Sequence, residues 1–491
     1  MPTLSYLQLA QLRSLLLVSV LPALALACSH PSTVGTGDGS GGNISNGTAG
    51  SSAGHSGSAG ANGSAGGNGR AGSGSGGSST ASDGGADAVV SSAGGSGPPR
   101  GPTPPAPGMK FPFPQNRQSA NCVYPAGYTN DVVLAAYNKW KADTVTNAGA
   151  GGFRRVKRTQ SDFTGTGGLE LESTVSEGIG YGMLIAVYMN DQALFDDLWR
   201  YEQLWPNDKT GLMDWYINAA GNMRLGTGPA TDADEDMAFA LVMADRQWGG
   251  KGALASNYID IAKDQISKIW NNEIYQSKLL LPGNWGDWST INISYFAPAY
   301  YRVFDNVDTD TTHDWPAVIQ TVYDTITNVL NATNKNQSNG LVPAWCTSDG
   351  APNGGAFGMN QPNAPTNYQY DSCRTPFRIA LDWCWFGTTS ARDYAAKISS
   401  FFSAIGAANI ADGYSLDGTP NPQHAGQRSA AFIGPAGVGA MTSATYQTLL
   451  DQSYATVAAD NAFAGGAYYE ESWTVMSLLM MTGNFLNYTS Y

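Results

Sequence analysis

The residues best suited to chemistry in this 491-residue chain are carboxylates, concentrated in three short stretches. In Ala230 to Trp248, ATDADEDMAFALVMADRQW, Asp232, Asp234, Glu235 and Asp236 stand directly before an apolar run. Met237, Ala240, Leu241, Ala244 and Trp248 fall on one helical face, so the stretch predicts a helix with an acidic mouth. Thr231 or Asp232 can serve as its N-cap, and Asp232 with Glu235 has capping-box spacing. A carboxylate at a helix N-terminus is favoured by only about 0.3–1 kcal/mol. That accounts for one or two of these acids, and not easily for four. A calcium loop would need Gly at its sixth and Glu at its twelfth position, where the sequence has Met237 and Met243, so no metal is expected here.

The second stretch is VSEGIGYGM, from Val175 to Met183. Ser176 can cap, Glu177 sits in the first helical turn, and Gly178, Gly180 and Gly182 lie inside a helix continued by Leu184 to Val187. Each interior glycine costs about 1 kcal/mol against alanine. Three of them imply close approach of another helix or of a ligand. Nearby Glu170 and Glu172 alternate with Leu169 and Leu171 and are expected to face solvent. The third stretch is YQYDSCRTPFR, from Tyr368 to Arg378. Asp371, with Arg374 three residues on, is either an N-cap with an ordinary helical ion pair or a carboxylate kept ionised by a guanidinium, as a base must be.

Tryptophans in polar company add a second theme. Trp215 in GLMDWYIN and Trp285 and Trp288 in PGNWGDWST stand among Gly, Asp and Asn, where flat rings suit the axial C–H face of a sugar; aromatics can equally fill core.

A formal charge of −13 argues against nucleic acid or an anionic membrane as partner. Beyond the N-terminal region the only histidines are His313 and His424, so histidine triads and zinc sites are poorly supported. Cys122, Cys346, Cys373 and Cys384 have no metal-site spacing, and sequence leaves their pairing open. Carboxylates are left to do the chemistry.

Residues 1–27 carry one basic residue, Arg13, then an apolar run from Ser14 ending Ala25-Leu26-Ala27, which predicts a secretory signal. Cys28 follows at once. Either it is lipidated, tethering the protein to the cell surface, or ordinary cleavage after Ala27 releases a free secreted protein. Residues 28–108 are rich in Gly, Ser and Ala and end in GPPRGPTPPAPG, a composition that predicts a disordered tether. Residues 109–491 hold nearly all the aromatics and acids.

In that domain helical periodicity predicts Asn130 to Thr146, Ser176 to Met189, Ala193 to Leu204, Thr231 to Trp248, Ala253 to Trp270, Ser294 to Phe304, Trp315 to Leu330, Asp371 to Trp385, Ala391 to Ala404, Ser443 to Ala458 and Glu471 to Met481. Eleven helices, with a twelfth easily missed, and long aromatic loops predict an all-α closed barrel or toroid.

Together the three stretches, in this order, resemble glycoside hydrolase family 8, and SYFAPAYYRVF, GLVPAWC, FIGP and TGNF extend the similarity over the whole domain. It is most similar to the clostridial-type endoglucanases of that family. The resemblance implies an (α/α)6 barrel with an acidic cleft, acting by inversion without metal or cofactor. It implies that Glu177 is the general acid, Asp371 the general base, and Asp232 the carboxylate that holds and distorts the sugar. Arg374 and Tyr370 would flank the base, while Trp215, Trp285 and Tyr469 would stack on or line the sugars. Phe377 stands where the family has Trp and Ala344 where Asp is common. The expected function is a secreted, monomeric endo-β-1,4-glucanase on cellulose or β-glucan; the same scaffold serves xylanases and chitosanases. A polysaccharide lyase would need uronic-acid substrates, to which an acidic domain is ill suited. A catalytically dead carbohydrate-binding domain is the alternative from a different class, against which the intact acid and base argue.

Overall fold

The computed structural model describes residues 111–159, 170–353, 366–422, 427–459 and 468–491. The expected signal, the tether, Cys28 and His424 lie outside them. Twelve α-helices are present among the described residues. In chain order they are α1 (Asn130–Thr144), α2 (Ser176–Tyr188), α3 (Gln192–Glu202), α4 (Thr231–Trp248), α5 (Tyr258–Glu273) and α6 (Pro298–Val307), then α7 (Trp315–Val329), α8 (Thr375–Phe386), α9 (Thr389–Ile405), α10 (Ala430–Ala440), α11 (Gln447–Ala459) and α12 (Tyr468–Met481).

The even-numbered helices form the inner wall. Each packs on the next from α2 to α12, and α12 closes the ring on α2. Outside them α3, α5, α7, α9 and α11 pack against α2, α4, α6, α8 and α10, while α1 covers α12. This is the expected (α/α)6 barrel. Burial follows from position: every residue of α2, α10 and α12 is buried, whereas outer α3 buries Leu194, Phe195, Leu198 and Trp199 and turns other residues outward. A helix apolar all round belongs inside, and an amphipathic one outside.

That rule explains the missed helix. AAFIGPAGVGA of α10 has no polar face and carries Pro435 inside it, so it offers neither a period nor a favourable propensity. Its small residues suit close packing: a Cβ at Gly434 would lie 2.4 Å from Ser477 Oγ of α12, and one at Gly437 2.7 Å from Ser453 Cβ of α11. Several helix starts also differ from expectation, among them those of α11 and α12, at Gln447 and Tyr468 in place of the expected Ser443 and Glu471. The helices expected from Ser294 and Asp371 begin at Pro298 and Thr375, with Pro298 and Pro376 in their first turns. Proline is preorganised for that position and disfavours helix in the residue before it. Helix α5 begins at Tyr258, five residues beyond the expected Ala253, behind Asn257 as N-cap.

Short strands brace the site end of the barrel. A two-stranded antiparallel pair joins β1 (Val145–Thr146) to β2 (Arg155–Val156). A three-stranded antiparallel sheet has the order β3 (Thr174–Val175), β4 (Tyr216–Ile217), β5 (Arg224–Gly226), with Thr174 opposite Ile217 and Val175 opposite Tyr216. Ser176 N donates to Trp215 O at 2.9 Å, so the start of α2 and the Trp215 backbone are fixed as one unit. Cys122, ahead of α1, is disulfide-bonded to Cys384 in the last turn of α8, 262 residues away, with Cα atoms 5.2 Å apart. Cys346 and Cys373 are free and buried.

Candidate active site

The site is built from helix beginnings. Glu177 is the second residue of α2, Asp232 the second of α4 and Tyr468 the first of α12, while Arg374 is the N-cap of α8. Ser294 lies just ahead of α6. Hydrogen bonds among these residues mean that the N-terminal ends of five inner helices converge. Partial positive charge at such ends favours carboxylates there.

Arg374 is fully buried and ties the acids together. Its Nη1 donates to Glu177 Oε2 at 2.7 Å, to Asp232 Oδ2 at 2.6 Å and to Tyr181 Oη at 3.3 Å. Its Nε donates to Ser294 Oγ at 3.0 Å, and Nη2 lies 3.7 Å from Asp371 Oδ1. The guanidinium also rests over the Tyr295 ring, 5.0 Å from its centroid. Burial alone would lower the Arg374 pKa, but Tyr181, Tyr469, Asp232 and Glu177 more than offset this and hold it well above the ordinary value. Of the two readings of Asp371, the N-cap with a helical ion pair does not hold, because α8 begins after both residues; the pair with Arg374 remains at 3.7 Å, and Arg374 bonds chiefly to Glu177 and Asp232.

Asp371 is held by other donors. Trp345 Nε1 reaches its Oδ2 at 3.4 Å. Gln369 clamps it twice, donating from Nε2 to Asp371 Oδ2 at 3.3 Å and accepting the Asp371 N–H on Oε1 at 2.9 Å. Glu177 has a second partner in Tyr468, whose Oη donates to Oε1 at 2.8 Å. Gln369, Trp345 and Tyr468 escape sequence reasoning, although Gln369 sits inside the quoted motif, where an amide two residues from a carboxylate was the available signal.

The sequence-predicted residues come together, with some differences of position. Glu177 and Asp371 are each 6 % exposed and Asp232 2 %, so all three are largely withdrawn from bulk water yet keep an open edge. Tyr370 and Tyr469 are buried, and Tyr469 Oη donates to Tyr370 O at 2.8 Å. Trp215 is buried against Gly226, where a Cβ would lie 2.2 Å from the indole nitrogen. Trp285 is half-buried and lies 6.1 Å from Trp345, ring centre to ring centre. The indole nitrogens of Trp215 and Trp285 have no acceptor among the described residues. Trp288, three residues on, is 57 % exposed.

The acidic helix mouth divides by depth. Neither Thr231 nor Asp232 caps α4: Ala230 is the N-cap without a side-chain bond, and Thr231 Oγ1 donates to Leu281 O at 2.7 Å. Glu235 leaves its expected capping-box partner for Tyr301 Oη and Arg378, at 2.8 and 3.0 Å. Asp236 takes both Arg378 Nη atoms, at 3.0 and 2.9 Å. Arg374 and Arg378 are four residues apart, as are Asp232 and Asp236, so two layers of Arg with carboxylates stack along the barrel interior. The close approach of α2 to α4 rests on Gly180, where a Cβ would meet Ala233 O and Asp236 Cβ at 3.1 Å. Gly178 and Gly182 instead make room for Val156, and Gly182 also for Leu198. Ser176, expected to cap, lies inside α2 behind Val175. Glu170 and Glu172 are exposed, as expected.

Asp234 faces the other way, toward Glu202 at the end of α3 and Glu273 at the end of α5, all three buried. Burial, then Glu273 and Glu202, hold the Asp234 pKa well above the usual range. Burial likewise pushes Glu202 up to about 7 and Glu273 up to about 8. A carboxyl whose pKa is raised on folding binds its proton more tightly folded than unfolded. Its stabilisation is therefore full below the unfolded pKa and lost as pH rises through the folded one. Each such group costs up to ~1.4 kcal/mol per pH unit over that interval. Thermal melts between pH 5 and 9 are expected to show a falling midpoint, with a shallower fall in Glu202→Gln. A midpoint constant or rising over that range would show that these carboxyls are not held protonated.

Among the described residues no group of three or more His, Cys, Asp or Glu is arranged to hold a metal ion. His313 is a structural residue, bonded through Nδ1 to Asp308 at 2.7 Å and stacked on Trp270.

Comparison with known proteins agrees with this geometry. The model of glycosyl hydrolases family 8 matches residues 111–483. Endoglucanase A of Acetivibrio thermocellus is 38 % identical over 395 residues, covering 76 % of this chain and 77 % of that protein. A beta-glucanase of Niallia circulans is 32 % identical over 403 residues, 77 % of this chain and 91 % of that one. The solved beta-1,3-1,4-glucanase of Paenibacillus sp. X4 superposes with a TM-score of 0.68 at 30 % identity, covering 78 % of this chain and all of that chain. On the family match and these relatives, this chain belongs to glycosyl hydrolases family 8.

Proposed function

We propose that the protein is an inverting endo-β-1,4-glucanase acting on cellulose or a mixed-linkage β-glucan. The observation that carries this reading is the convergence of Glu177, Asp232 and Asp371, from three separate parts of the chain, on the single guanidinium of Arg374. Inversion needs an acid and a base about 6.5–9.5 Å apart so that a water fits beside the sugar. Here a guanidinium lies between the two carboxyls. Its two contacts, 2.7 and 3.7 Å, limit the Glu177 and Asp371 oxygens they touch to a separation of about 9 Å.

In this reading Glu177 gives its proton to the leaving glycosidic oxygen, and Tyr468 and the start of α2 fix its direction. Asp371 takes a proton from water as that water attacks the anomeric carbon from the opposite face. Gln369 and Trp345 hold one oxygen of Asp371, leaving the other toward Arg374 and the cleft. Asp232, tied to Arg374, accepts hydroxyls of the sugar at the cleavage point and favours its distorted ring. Once Glu177 carries its proton, the Arg374 charge falls to Asp232, so the acid and the sugar-binding carboxylate divide one cation between them. Trp285, half-buried beside Trp345, offers a ring to a neighbouring sugar, while Trp215, buried with its indole nitrogen against Gly226, supports the wall behind it. The substrate choice is supported by relatives named as endoglucanases and glucanases.

Export to an oxidising compartment is part of the same proposal. The Cys122–Cys384 disulfide fits that setting, as does the apolar run ending at Ala27 before Cys28, which would carry the protein to the cell surface if lipidated.

The test is sugar release by the purified protein from carboxymethyl cellulose, mixed-linkage glucan, xylan and chitosan. Preferred cleavage of a β-glucan with rapid loss of viscosity is expected. Preference for xylan or chitosan would overturn the substrate assignment.

A further inference from the structure

Behind Asp371 lies a buried carboxylate that the reaction itself does not use. Asp412 is 3 % exposed, on the loop between α9 and α10. Its Oδ1 accepts the backbone N–H of Ser429, the N-cap of α10, at 2.7 Å, and its Oδ2 accepts the phenol of Tyr370 at 3.0 Å. The same loop is stitched to the chain leading into Asp371, since Tyr368 and Tyr414 exchange both backbone hydrogen bonds at 2.9 Å. Tyr370 is thereby held at both ends. Its carbonyl accepts from Tyr469 Oη at 2.8 Å and from Cys373 Sγ at 3.2 Å, and its ring packs edge-on against Phe432 and Tyr469. The residue so immobilised is the one directly before Asp371.

We propose that Asp412 is a positioning residue for the general base, setting the orientation of Asp371 through Tyr370. The inference rests on the assignment of Asp371 as that base. Placing the acceptor on the α10 N-terminus extends the pattern of the site to the sixth inner helix, whose first turn thus steers a reacting group without touching substrate. Burial, then the nearby Glu470, raise the Asp412 pKa to about 6, against the lowering effects of Tyr370 and Ser429. Among the described residues Cys373 and Tyr414 also sense its charge, and Tyr414 in turn senses Arg428. Mild acid is therefore expected to leave Tyr370 a neutral and weaker acceptor, and to weaken the positioning.

The experiment compares wild type, Asp412→Asn, Tyr370→Phe, the double variant and Asp371→Asn on carboxymethyl cellulose from pH 4.5 to 8, with thermal melts of each. Asp412→Asn and Tyr370→Phe are each expected to lower kcat about ten-fold, the worth of a hydrogen bond to a charged group. The KM of Asp412→Asn should stay within about two-fold of wild type, since that side chain meets no sugar. The double variant should fall no further than the worse single one, because both break the same link, and a wild-type inflection near pH 6 should be missing in Asp412→Asn. Multiplicative losses, or a lowered melting point with normal kcat, would overturn the inference while Asp371→Asn stays inactive. Activity surviving in Asp371→Asn would instead overturn the assignment of the base, and this inference with it.

Discussion

Glu177→Gln and Asp371→Asn are each expected to reduce kcat on soluble β-glucan by about a thousand-fold or more while leaving oligosaccharide affinity within a few-fold of wild type. General acid or base catalysis contributes about 10² to 10⁴ in rate, and neither replacement changes shape. Glutamine at 177 can still accept from Tyr468, and Arg374 keeps Asp232 at 2.6 Å, so the cluster survives. Asparagine at 371 can turn its carbonyl to Gln369 and Trp345, the donors now on Oδ2. Proton transfer is lost and, at 177, one hydrogen bond from Arg374. Steady-state kinetics and calorimetry with an unhydrolysed oligosaccharide separate the two effects, and near-normal turnover in either variant would contradict that residue's role.

The second large effect concerns stability. Arg378→Met is expected to cost about 3–5 kcal/mol, because it strands buried carboxylates. Asp236 loses a bidentate partner and Glu235 its only ion pair among the described residues. The loss should shrink in acid, since burial has already pushed Asp236 up to about 6 and a protonated carboxyl no longer needs the cation. Denaturant unfolding at pH 5 and pH 8 would show this, and equal losses at both pH values would contradict it. Arg378 is assigned no contact with substrate, yet it supports the adjoining layer of Arg374 and Asp232, one helical turn away.

Much of this arrangement was legible in the sequence because local pattern and tertiary demand coincide. Outer helices such as α3 and α7 carry one apolar stripe, and the three acid-bearing stretches meet around Arg374. What failed was the reading of individual partners. Asp232 and Glu235 have the spacing of a capping box, but in a closed ring of inner helices their side chains point into a shared interior, where Arg374 and Arg378 outbid the local backbone. Arg374 is three residues from Asp371, yet its strongest bonds reach 197 and 142 residues back, to Glu177 and Asp232. Spacing cannot reveal such pairings. Helix α10 was hidden for the opposite reason: surrounded by apolar neighbours, it has no period to show. The starts of α6 and α8 were readable in principle from Pro298 and Pro376, since proline marks a first turn more firmly than the residues before it. The Cys122–Cys384 pairing depends on two segments meeting only after the barrel closes.

In the proposed mechanism Glu177 and Asp371 act on opposite faces of one sugar, with water between base and anomeric carbon. The direct test is proton NMR of the first product formed from a β-glucan oligosaccharide, recorded before mutarotation. The new reducing end is expected to appear as the α-anomer and to drift toward equilibrium. A β-anomer appearing first would mean retention, and would contradict the assignment of Asp371 as a base acting on water.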